Sequence, residues 1–506
     1  MKKHLPLIVF LILYFLYVFL SYKSFGYTWD EQAVYDRGKT LYQHLISPNF
    51  PTDISLIIKQ SSADVWPLYN NAYAMMLYSF NQNEYYARNH LYNLLFASLI
   101  FIAGYYFLYK KYNKPWFALL APLFIVLNPR FFGDIAANPK DMPFAVLYFV
   151  SVASMYFVAP LESTLLRVLI LGVLFGLTQG IRVIGFTLFI LLFLYDLLRY
   201  FTFPKGSHAA TFTRFLIHEA MYVLVIFIYS NFVMLLTWPY IGSNYFKNFV
   251  DVLRSSQDFP WTGGVLFLGK MYTGGNIPIS YLPVWLMIST PVFILLSAIG
   301  SVVLFMKKFK TNEPLFLVVA ALCINLLFYF ILRPVVYNGV RHFLFLLPLL
   351  SLLAAIVLTE IVGSTHTKLK IAVIGLVCIN AVTVVRAQAQ LFPYQYVYFN
   401  EFVGGFKGAS RNFDTDYWAA ATKQSLEWVR TYTKAKKKTY TIYSCGLPLT
   451  MLHYFNMDMV WADSPDKADF AVCSASQPDY KSLSGNVIYT VSRDGVPLSY
   501  VFALRK

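Results

Sequence analysis

After a short basic start the chain reads LPLIVFLILYFLYVFLSYKSFGYTWDE, Leu5 to Glu31. The first part is apolar throughout and has the length of a membrane span, which we place at residues 5–22. A signal peptide shows the same basic and then apolar pattern, but no small-residue cleavage site follows this run, so we predict a retained span. Two carboxylates, Asp30 and Glu31, come soon after it. They predict either a helix cap or a polar site at the membrane surface.

The composition of the whole chain indicates a membrane protein. Of its 506 residues, 58% are hydrophobic, 19% are aromatic and only 13% are charged, whereas soluble domains carry about 25% charged residues. A window of membrane length predicts about eleven spans. They lie at residues 5–22, 88–108, 115–130, 143–159, 165–180, 183–199, 215–237, 283–305, 315–332, 341–361 and 369–387. The predicted fold class is an α-helical polytopic membrane protein.

The lysines and arginines indicate how the spans are oriented. If the spans alternate in direction, most basic groups between them fall on one side of the membrane. The positive-inside rule makes that side the cytoplasm, which places the N-terminus inside and the C-terminal segment outside. The formal charge of +16 then reflects topology. Nucleic acid is excluded as a partner, because the basic residues flank spans instead of forming one continuous face.

This topology places the longer polar segments on the exterior. Within the predicted catalytic module, residues 1–390, they are the loops 23–87, 131–142 and 238–282. In residues 391–506, short apolar runs such as KTYTIYSC and GNVIYTVSR predict strands, and SLEWVRTYTK predicts a helix. We therefore predict a small exterior α/β domain. Its Cys445 and Cys473 either form a disulfide, which an oxidising compartment permits, or stay free.

Asp30 and Glu31 have a structural and a chemical interpretation. Thr28 followed by Glu31 matches a capping box, in which the two residues satisfy each other's backbone N–H groups. Asp30 would then lie in the first helical turn, where the helix dipole favours a carboxylate. A cap also fixes where a neighbouring side chain points. A catalytic role for Asp30 is therefore compatible with the cap, and both interpretations stay open.

A second polar loop, NPRFFGDIAANPKDMP, covers residues 128–143. Its two Asn-Pro pairs mark helix ends, and Asp141 can cap the span that follows. Capping does not account for Asp134, which lies in mid-loop with Arg130 and Lys140 nearby. An exterior carboxylate beside basic residues predicts a polar site or a divalent cation site.

A third polar stretch, RPVVYNGVRHF, covers residues 333–343. Arg333 and Arg341 bracket a short exterior turn, and Arg182 lies at another exterior turn. These arginines either anchor span ends at the interface or clamp a lipid phosphate, whose oxygens suit a guanidinium group. His342 can donate a further hydrogen bond.

Taken in order, these motifs resemble those of the GT-C glycosyltransferases. The resemblance is carried by YTWDE, PRFFGDIAANPKD and YNGVRHFLFLLP, and it extends over residues 1–390. The chain looks most similar to bacterial relatives of the protein O-mannosyltransferases and of the lipid A aminoarabinose transferase. PYQYVYFNEFVGG and FDTDYW resemble the exterior tail of a bacterial subgroup. The resemblance implies a GT-C-like bundle and a polyprenyl-phosphate sugar as donor.

The resemblance also implies roles for single residues. Asp30 matches the family's catalytic aspartate and is the expected general base for the acceptor hydroxyl. Glu31 and Asp134 are expected to orient the acceptor, and Asp30 and Asp134 are candidate ligands of a divalent cation, Mg²⁺ or Mn²⁺. Negative charge grows on the departing phosphate, so cations are expected around it. The candidates are Lys140, Arg182, Arg333, Tyr337, Arg341 and His342. Candidates for lining the sugar or lipid groove, or for anchoring at the interface, are Trp29, Trp66, Tyr69 and Trp261.

The expected function is inverting transfer of a sugar from a polyprenyl phosphate to a hydroxyl of an envelope lipid, glycan or protein. It would take place at the exterior face of a bacterial inner membrane. The arginine-rich segment of eukaryotic O-mannosyltransferases is missing from the sequence, so a protein acceptor is not implied. The alternative is a transporter or flippase of lipid-linked sugars. A transporter should carry polar residues at mid-membrane and broken spans in matching positions, whereas the polar residues here gather at one face.

Overall fold

The fold is known from a computed structural model. It describes residues 2–46, 78, 85–202, 212–257, 259, 263–273, 276–434, 438–446, 449–455 and 458–504. Most of the predicted loop 23–87, together with Trp66, Tyr69 and Trp261, lies outside the described residues.

The membrane module consists of helices and one small hairpin. In chain order the helices are α1 Leu5–Ser21, α2 Trp29–Ile46, α3 Tyr85–Tyr112, α4 Pro115–Ala118, α5 Leu120–Val126, α6 Pro129–Ala137, α7 Asp141–Val158, α8 Thr164–Ile181, α9 Thr187–Thr202, α10 Phe212–Thr237, α11 Pro239–Ser243, α12 Tyr245–Gln257, α13 Tyr281–Ser289, α14 Val292–Lys308, α15 Glu313–Leu332, α16 Leu346–Gly363 and α17 Thr367–Leu391. The antiparallel strands β1 Gly264–Phe267 and β2 Lys270–Thr273 form the hairpin after α12.

The apolar helices confirm a polytopic membrane protein. Within the described residues, eight helices are long and apolar enough to cross a membrane, and the number rises to ten if each of two bent helix pairs is one span. The shorter apolar helix α1 covers the first predicted span. Each predicted span thus falls on a helix or on a bent pair. The bends themselves were not predicted, because hydrophobicity continues through them.

Both bends occur at proline. Between α5 and α6 the chain turns by 68° at Asn128-Pro129, where the Asn128 side chain accepts a hydrogen bond from the backbone of Phe131. Between α13 and α14 the turn is 119°, and Pro291 precedes the first residue of α14. Proline cannot continue the hydrogen bonding of the helix before it, but it starts a new helix well. The first bend redirects α6, which carries Asp134, away from the axis of α5.

Polar contacts distinguish the two ends of the bundle. At one end, Lys308 pairs with Glu360 at 2.6 Å, and the ammonium of Lys111 donates to the carbonyl of Thr311 at 2.9 Å. The basic clusters after α3 and α14, which the topology predicts on one side, therefore share an end. The three polar motifs gather at the other end.

The C-terminal domain has the predicted α/β character. Two helices, α18 Gly405–Ala409 and α19 Thr422–Thr433, precede its sheet, and α20 Leu449–Leu452 lies after the first strand. The strands are β3 Tyr440–Cys445, β4 Met459–Trp461, β5 Phe470–Ser474, β6 Asn486–Arg493 and β7 Val496–Ala503, in the order β4-β3-β5-β7-β6. Strand β3 is parallel to β4 and β5, whereas β7 is antiparallel to β5 and β6. Cys445 and Cys473 are neighbours in β3 and β5 and form a disulfide.

The segment between α17 and α19 packs with the membrane module. Tyr396, Phe413 and Trp418 are buried in the same hydrophobic cluster as the bundle helices, whereas Leu426 in α19 belongs to a separate cluster with the sheet. The predicted division after residue 390 follows the last span. The two-domain division itself stays a prediction, since Val491 and Leu498 of the sheet belong to the bundle cluster as well.

Two glycines allow this segment to touch the bundle backbone to backbone. A methyl group added to Gly133 in α6 would lie 2.2 Å from the backbone nitrogen of Tyr396. A methyl group added to Gly26, before α2, would lie 2.0 Å from the carbonyl oxygen of Ala420. Close-packed interiors do not tolerate such distances. Both positions therefore require glycine for the segment to dock as it does.

Gly133→Ala is expected to destabilise the protein, because the added methyl group must push the segment around Tyr396 away from α6. Overpacking of this kind costs about 1 to 3 kcal/mol, although alanine is the better helix former. Gly375→Ala in α17 is the matched control, since nothing lies within 4 Å of that position. Thermal unfolding in detergent should show a lowered midpoint for Gly133→Ala alone. Equal midpoints for both variants would contradict the close approach.

Candidate active site

Asp30 lies in the first turn of α2, where the Glu31 half of the predicted capping box forms. One carboxylate oxygen of Glu31 accepts a hydrogen bond from the backbone N–H of Thr28 at 2.7 Å. The other lies 3.0 Å from Nε2 of His90 in α3. The hydroxyl of Thr28 donates to the carbonyl of Ala137 at the end of α6, at 2.8 Å. Glu31 is fully buried, and these contacts hold the first turn of α2 in place. Its role in orienting the acceptor stays a prediction.

Asp30 points to Arg341, which joins two carboxylates. Nη2 of Arg341 donates to Oδ2 of Asp30 at 2.7 Å, and Nε of Arg341 lies 3.3 Å from Oδ2 of Asp141. Asp141 also accepts a hydrogen bond from Arg182. Asp30, Asp141 and Arg341 are buried, where an isolated charge is costly. These ion pairs between carboxylates and guanidinium groups therefore link α2 and α7 to the turns at residues 182 and 341.

Asp134 forms a second polar group beside the first. The indole N–H of Trp418 donates to its Oδ1 at 2.9 Å, and the hydroxyl of Tyr417 donates to its Oδ2 at 3.4 Å. The side-chain amide of Asn138 lies 3.5 Å from Asp134 and 3.2 Å from Asp141. Through Asn138, Asp134 joins the network that contains Asp30.

Trp418 contacts both polar groups. Its ring centre lies 4.6 Å from the guanidinium carbon of Arg341, a distance at which an aromatic face attracts a cation. The residue before it is also held at the site, because the indole N–H of Trp29 donates to the carbonyl of Tyr417 at 2.9 Å. Residues from beyond the last span thus complete a site inside the bundle.

A cavity of about 150 Å³ lies beside this network. Part of its wall is polar, formed by Lys140, Arg182, Ser255, Tyr337 and His342. The remainder is mainly apolar, with Val183, Val252, Leu253, Phe259, Phe328 and Val335 among its members. A wall with a basic part and an apolar part suits an anion that is attached to a hydrocarbon chain.

Burial lowers the pKa of two bases in this wall. The pKa of Lys140 lies well below its usual value, because the ammonium is desolvated and because Arg182 and Arg341 repel its charge, against an opposing effect of Asp30. Burial and the same two arginines, together with Lys140, lower the pKa of His342. A bound phosphate would reverse both shifts, since it supplies the negative charge that favours the protonated forms.

His342 lies in the 3-10 turn Arg341–Phe343, just before the spanning helix α16. Its ring meets the ring of Tyr337 edge to face, with centroids 4.6 Å apart. Burial raises the pKa of Tyr337 to about 12, so its hydroxyl stays protonated at neutral pH. Nδ1 of His342 is buried and has no hydrogen-bond partner within the described residues. The cavity therefore offers a polar atom for a ligand to bind.

The residues predicted to hold the donor phosphate are largely found together. Lys140, Arg182, Tyr337 and His342 line the cavity, and Arg341 packs against Tyr337 with its guanidinium carbon 5.5 Å from the ring centre. The sixth candidate, Arg333, ends α15 in the left-handed conformation, with φ of 45°, and is exposed. Its neighbours in sequence line the cavity. The phosphate-binding role of Arg333 stays a prediction.

The residues present do not fit a metal ion held by protein side chains alone. In the part of the chain that the structure describes, no group of three or more His, Cys, Asp or Glu side chains is placed to hold one. Of the two predicted ligands, Asp30 pairs with Arg341 and Asp134 accepts the indole N–H of Trp418. The divalent cation stays a prediction.

Asp141 and Trp418 are among the members of the network that were not predicted as site residues. Asp141 was interpreted as a helix cap, but the side chain of Asn138 accepts the backbone N–H of Asp141 at 2.8 Å and leaves the Asp141 carboxylate for two arginines. The signal that was available is the second Asn-Pro pair, which supplies a cap of its own. Trp418 belongs to FDTDYW, a run of acids and aromatic residues in a segment that the topology placed outside the bundle.

Comparison with solved structures shows the same fold in ArnT from Cupriavidus metallidurans. Its crystal structure bound to undecaprenyl phosphate matches with a TM-score of 0.53 and 12% sequence identity, over 98% of this chain and 97% of ArnT. The apo structure of the same protein gives a TM-score of 0.48 and 13% identity, over 99% and 98%. No protein-family model matches the chain, and no curated protein is similar to it in sequence. This likeness confirms the predicted fold class, an α-helical polytopic membrane protein with a small C-terminal α/β domain.

Arg341→Lys is expected to lower stability, because a single ammonium cannot serve Asp30 and Asp141 as the guanidinium does. Weakening a buried ion pair of this kind costs up to about 3 kcal/mol. Arg333→Lys, at an exposed position near the same turn, should change stability by less than about 0.5 kcal/mol. Thermal unfolding in detergent distinguishes the two. If Arg341→Lys is as stable as Arg333→Lys, the guanidinium does not hold the network together.

The lowered pKa of His342 predicts acid sensitivity. Below its usual pKa of about 6.5 the unfolded chain binds a proton that the folded chain refuses, so stability falls as the pH drops. His342→Gln removes this contribution and should reduce the loss of stability between pH 7 and pH 5 by up to about 2 kcal/mol. His366→Gln, at an exposed position, is the control and should follow the wild type. Parallel pH profiles for wild type and His342→Gln would show that His342 titrates normally.

Proposed function

We propose that this protein is an inverting membrane glycosyltransferase that moves a sugar from a polyprenyl phosphate to an acceptor hydroxyl. One observation carries the proposal. A buried carboxylate, Asp30, pairs with Arg341 next to a cavity whose wall is part basic and part apolar. Transfer from a lipid phosphate needs both a proton acceptor and a site for an anionic lipid, and here the two adjoin.

The cavity suits the donor by its chemistry. The phosphate would lie against Lys140, Arg182 and His342, and the polyprenyl chain would follow the apolar wall. Nδ1 of His342, buried without a partner among the described residues, would donate to a phosphate oxygen. ArnT, which has the same fold, is seen with undecaprenyl phosphate. That complex supports a lipid phosphate of this class as the partner of this chain too.

In the proposed reaction the acceptor oxygen attacks the anomeric carbon of the sugar. The bond between that carbon and the phosphate oxygen breaks, and the configuration inverts. Asp30 takes the proton of the acceptor hydroxyl. The leaving group changes from a diester with one negative charge to a monoester that carries a second. The basic wall of the cavity stabilises that added charge.

Arg341 would keep Asp30 in position during this step. It reaches Asp30 through Nη2 and Asp141 through Nε, so two carboxylates fix the plane of the guanidinium. A fixed guanidinium in turn fixes the Asp30 carboxylate relative to the cavity. Catalysis depends steeply on such alignment, because a displacement of about 1 Å can cost about 100-fold in rate.

We place the reaction at the exterior face of a bacterial inner membrane, with the N-terminus in the cytoplasm. The lysines at the opposite end of the bundle support this orientation, and the disulfide of the C-terminal domain suits an oxidising compartment. The acceptor would be an envelope lipid, glycan or protein. A divalent cation at Asp30 or Asp134 would need phosphate oxygens and water for most of its ligands.

Asp30→Asn is expected to abolish most transfer, since the amide cannot accept the hydroxyl proton. Purified protein in lipid vesicles would be given a panel of radiolabelled undecaprenyl-phosphate sugars, with and without a membrane extract as acceptor. The wild type should release undecaprenyl phosphate from one donor only with extract, and Asp30→Asn should be at least about 100-fold slower. Asp36→Asn is the matched control, because Asp36 lies on the same helix but is exposed.

Two results would count against the transferase. Full turnover by Asp30→Asn would remove the proposed base. If no donor is consumed while the lipid-linked sugar changes leaflet in the same vesicles, the protein is a transporter. Thermal unfolding of both variants shows whether a lost activity reflects chemistry or folding.

A further inference from the structure

The stretch NFDTDYWAAA, residues 412–421, lies after the last span and yet reaches the candidate active site. Its aromatic residues Tyr417 and Trp418 are buried in the bundle cluster, and both contact Asp134. The chemistry proposed above does not use this stretch. Its placement therefore calls for a function of its own.

The acids of this stretch fix its path on both sides of Trp418. Asp414 accepts the backbone N–H of Leu266 in β1 at 3.0 Å, and its own N–H donates to the carbonyl of the same residue at 3.2 Å. Asp416 accepts the hydroxyl of Tyr396 and backbone N–H groups of residues 419–421, at the start of α19. The chain before and after Trp418 is therefore held by hydrogen bonds that do not involve Trp418 itself.

Trp418 makes two directed contacts from this position. Its indole N–H donates to Asp134 at 2.9 Å, and its ring lies 4.6 Å from the guanidinium carbon of Arg341. It is fully buried, and an aromatic face attracts a cation more strongly away from water. The hydrogen bond to Asp134 fixes how the indole is turned. Asp134, in α6, therefore determines which face of the indole ring lies against Arg341.

We propose that Trp418 is a positioning residue for the transfer reaction: it holds the guanidinium of Arg341 in the orientation that pairs with Asp30 and Asp141. The inference rests on the proposed function and names a further residue of the same site. A residue that only filled space would need neither the N–H donor nor the ring above a cation. Without Trp418, Arg341 would lose one of the two aromatic surfaces it packs against, the other being Tyr337, and its pairing with Asp30 would be held less firmly.

The test compares Trp418→Leu, which removes ring and N–H, with Trp418→Phe, which keeps a ring but removes the N–H. Turnover of the donor that the wild type accepts should fall by about 10- to 100-fold in Trp418→Leu. Trp418→Phe should recover part of that loss. Trp461→Phe is the matched control, since Trp461 lies on the edge strand β4 with 45% of its surface exposed, and its turnover should stay at the wild-type level.

A second measurement separates positioning from general damage. Trp418 does not line the cavity, so the Kd for undecaprenyl phosphate should stay within about 3-fold of wild type while kcat falls, as expected for an interaction that acts in the transition state. Wild-type kcat in Trp418→Leu would overturn the proposal. A Kd that rises in step with the fall in kcat would overturn it too, because it would indicate a purely structural role.

A third measurement keeps the test independent of the proposed function. If the wild type consumes no donor, the transferase proposal fails, and the contact with Arg341 is tested by stability alone. Thermal midpoints would be compared for Trp418→Leu, Arg341→Lys and the double variant. If Trp418 orients Arg341, the thermal midpoint of the double variant should fall by less than the sum of the decreases in the two single variants. Additive losses would overturn the positioning of Arg341 by Trp418.

Discussion

The structure depends on one guanidinium group that two buried carboxylates share. Arg341 reaches both Asp30 and Asp141, and Arg182 completes the set at Asp141. Inside a membrane protein none of these charges is stable alone, because the surroundings cannot solvate it. Positions 30, 141, 182 and 341 must therefore meet, although they lie far apart in sequence. The helices that carry them are assembled by their apolar faces, but this meeting decides which arrangement of those helices is acceptable.

The same charges explain why a cavity beside them would attract an anion. Lys140, Arg182 and His342 line the cavity, with Lys140 buried and the other two half-buried, and the pKa values of Lys140 and His342 are lowered there. Desolvation and the neighbouring cations thus disfavour the charged forms of these two bases. A phosphate would restore them, and the apolar wall beside them suits a hydrocarbon chain. In the proposed function, one cavity binds both the anion and the lipid chain, because ends of spanning helices and residues 252–255 of α12 line it together.

Local patterns in the sequence were enough to find the spans, the capping box at Thr28 and most of the basic residues of the cavity. Each of these depends on neighbouring residues, so a single sequence contains the signal. Asp141 was missed because two acceptors compete to cap α7, and only the structure shows that Asn138 wins. Trp418 and the bends at Pro129 and Pro291 depend on contacts between distant segments. Contacts between distant segments produce no periodic pattern of hydrophobic residues in the sequence. The acidic and aromatic residues of FDTDYW indicated an unusual composition of this segment but not where it docks.

The docking of the C-terminal stretch has a consequence for how the protein is made. A chain is synthesised from its N-terminus, so all the spans emerge before Trp418 does. Until residues 412–421 reach the same end of the bundle, Asp134 lacks the indole N–H of Trp418 and Gly26 lacks its close contact with Ala420. An incomplete chain would thus hold the acids and bases of the site without the residue that aligns them. Docking of residues 412–421 would therefore be the last step of folding. Under the proposed function, sugar transfer would start only after that step.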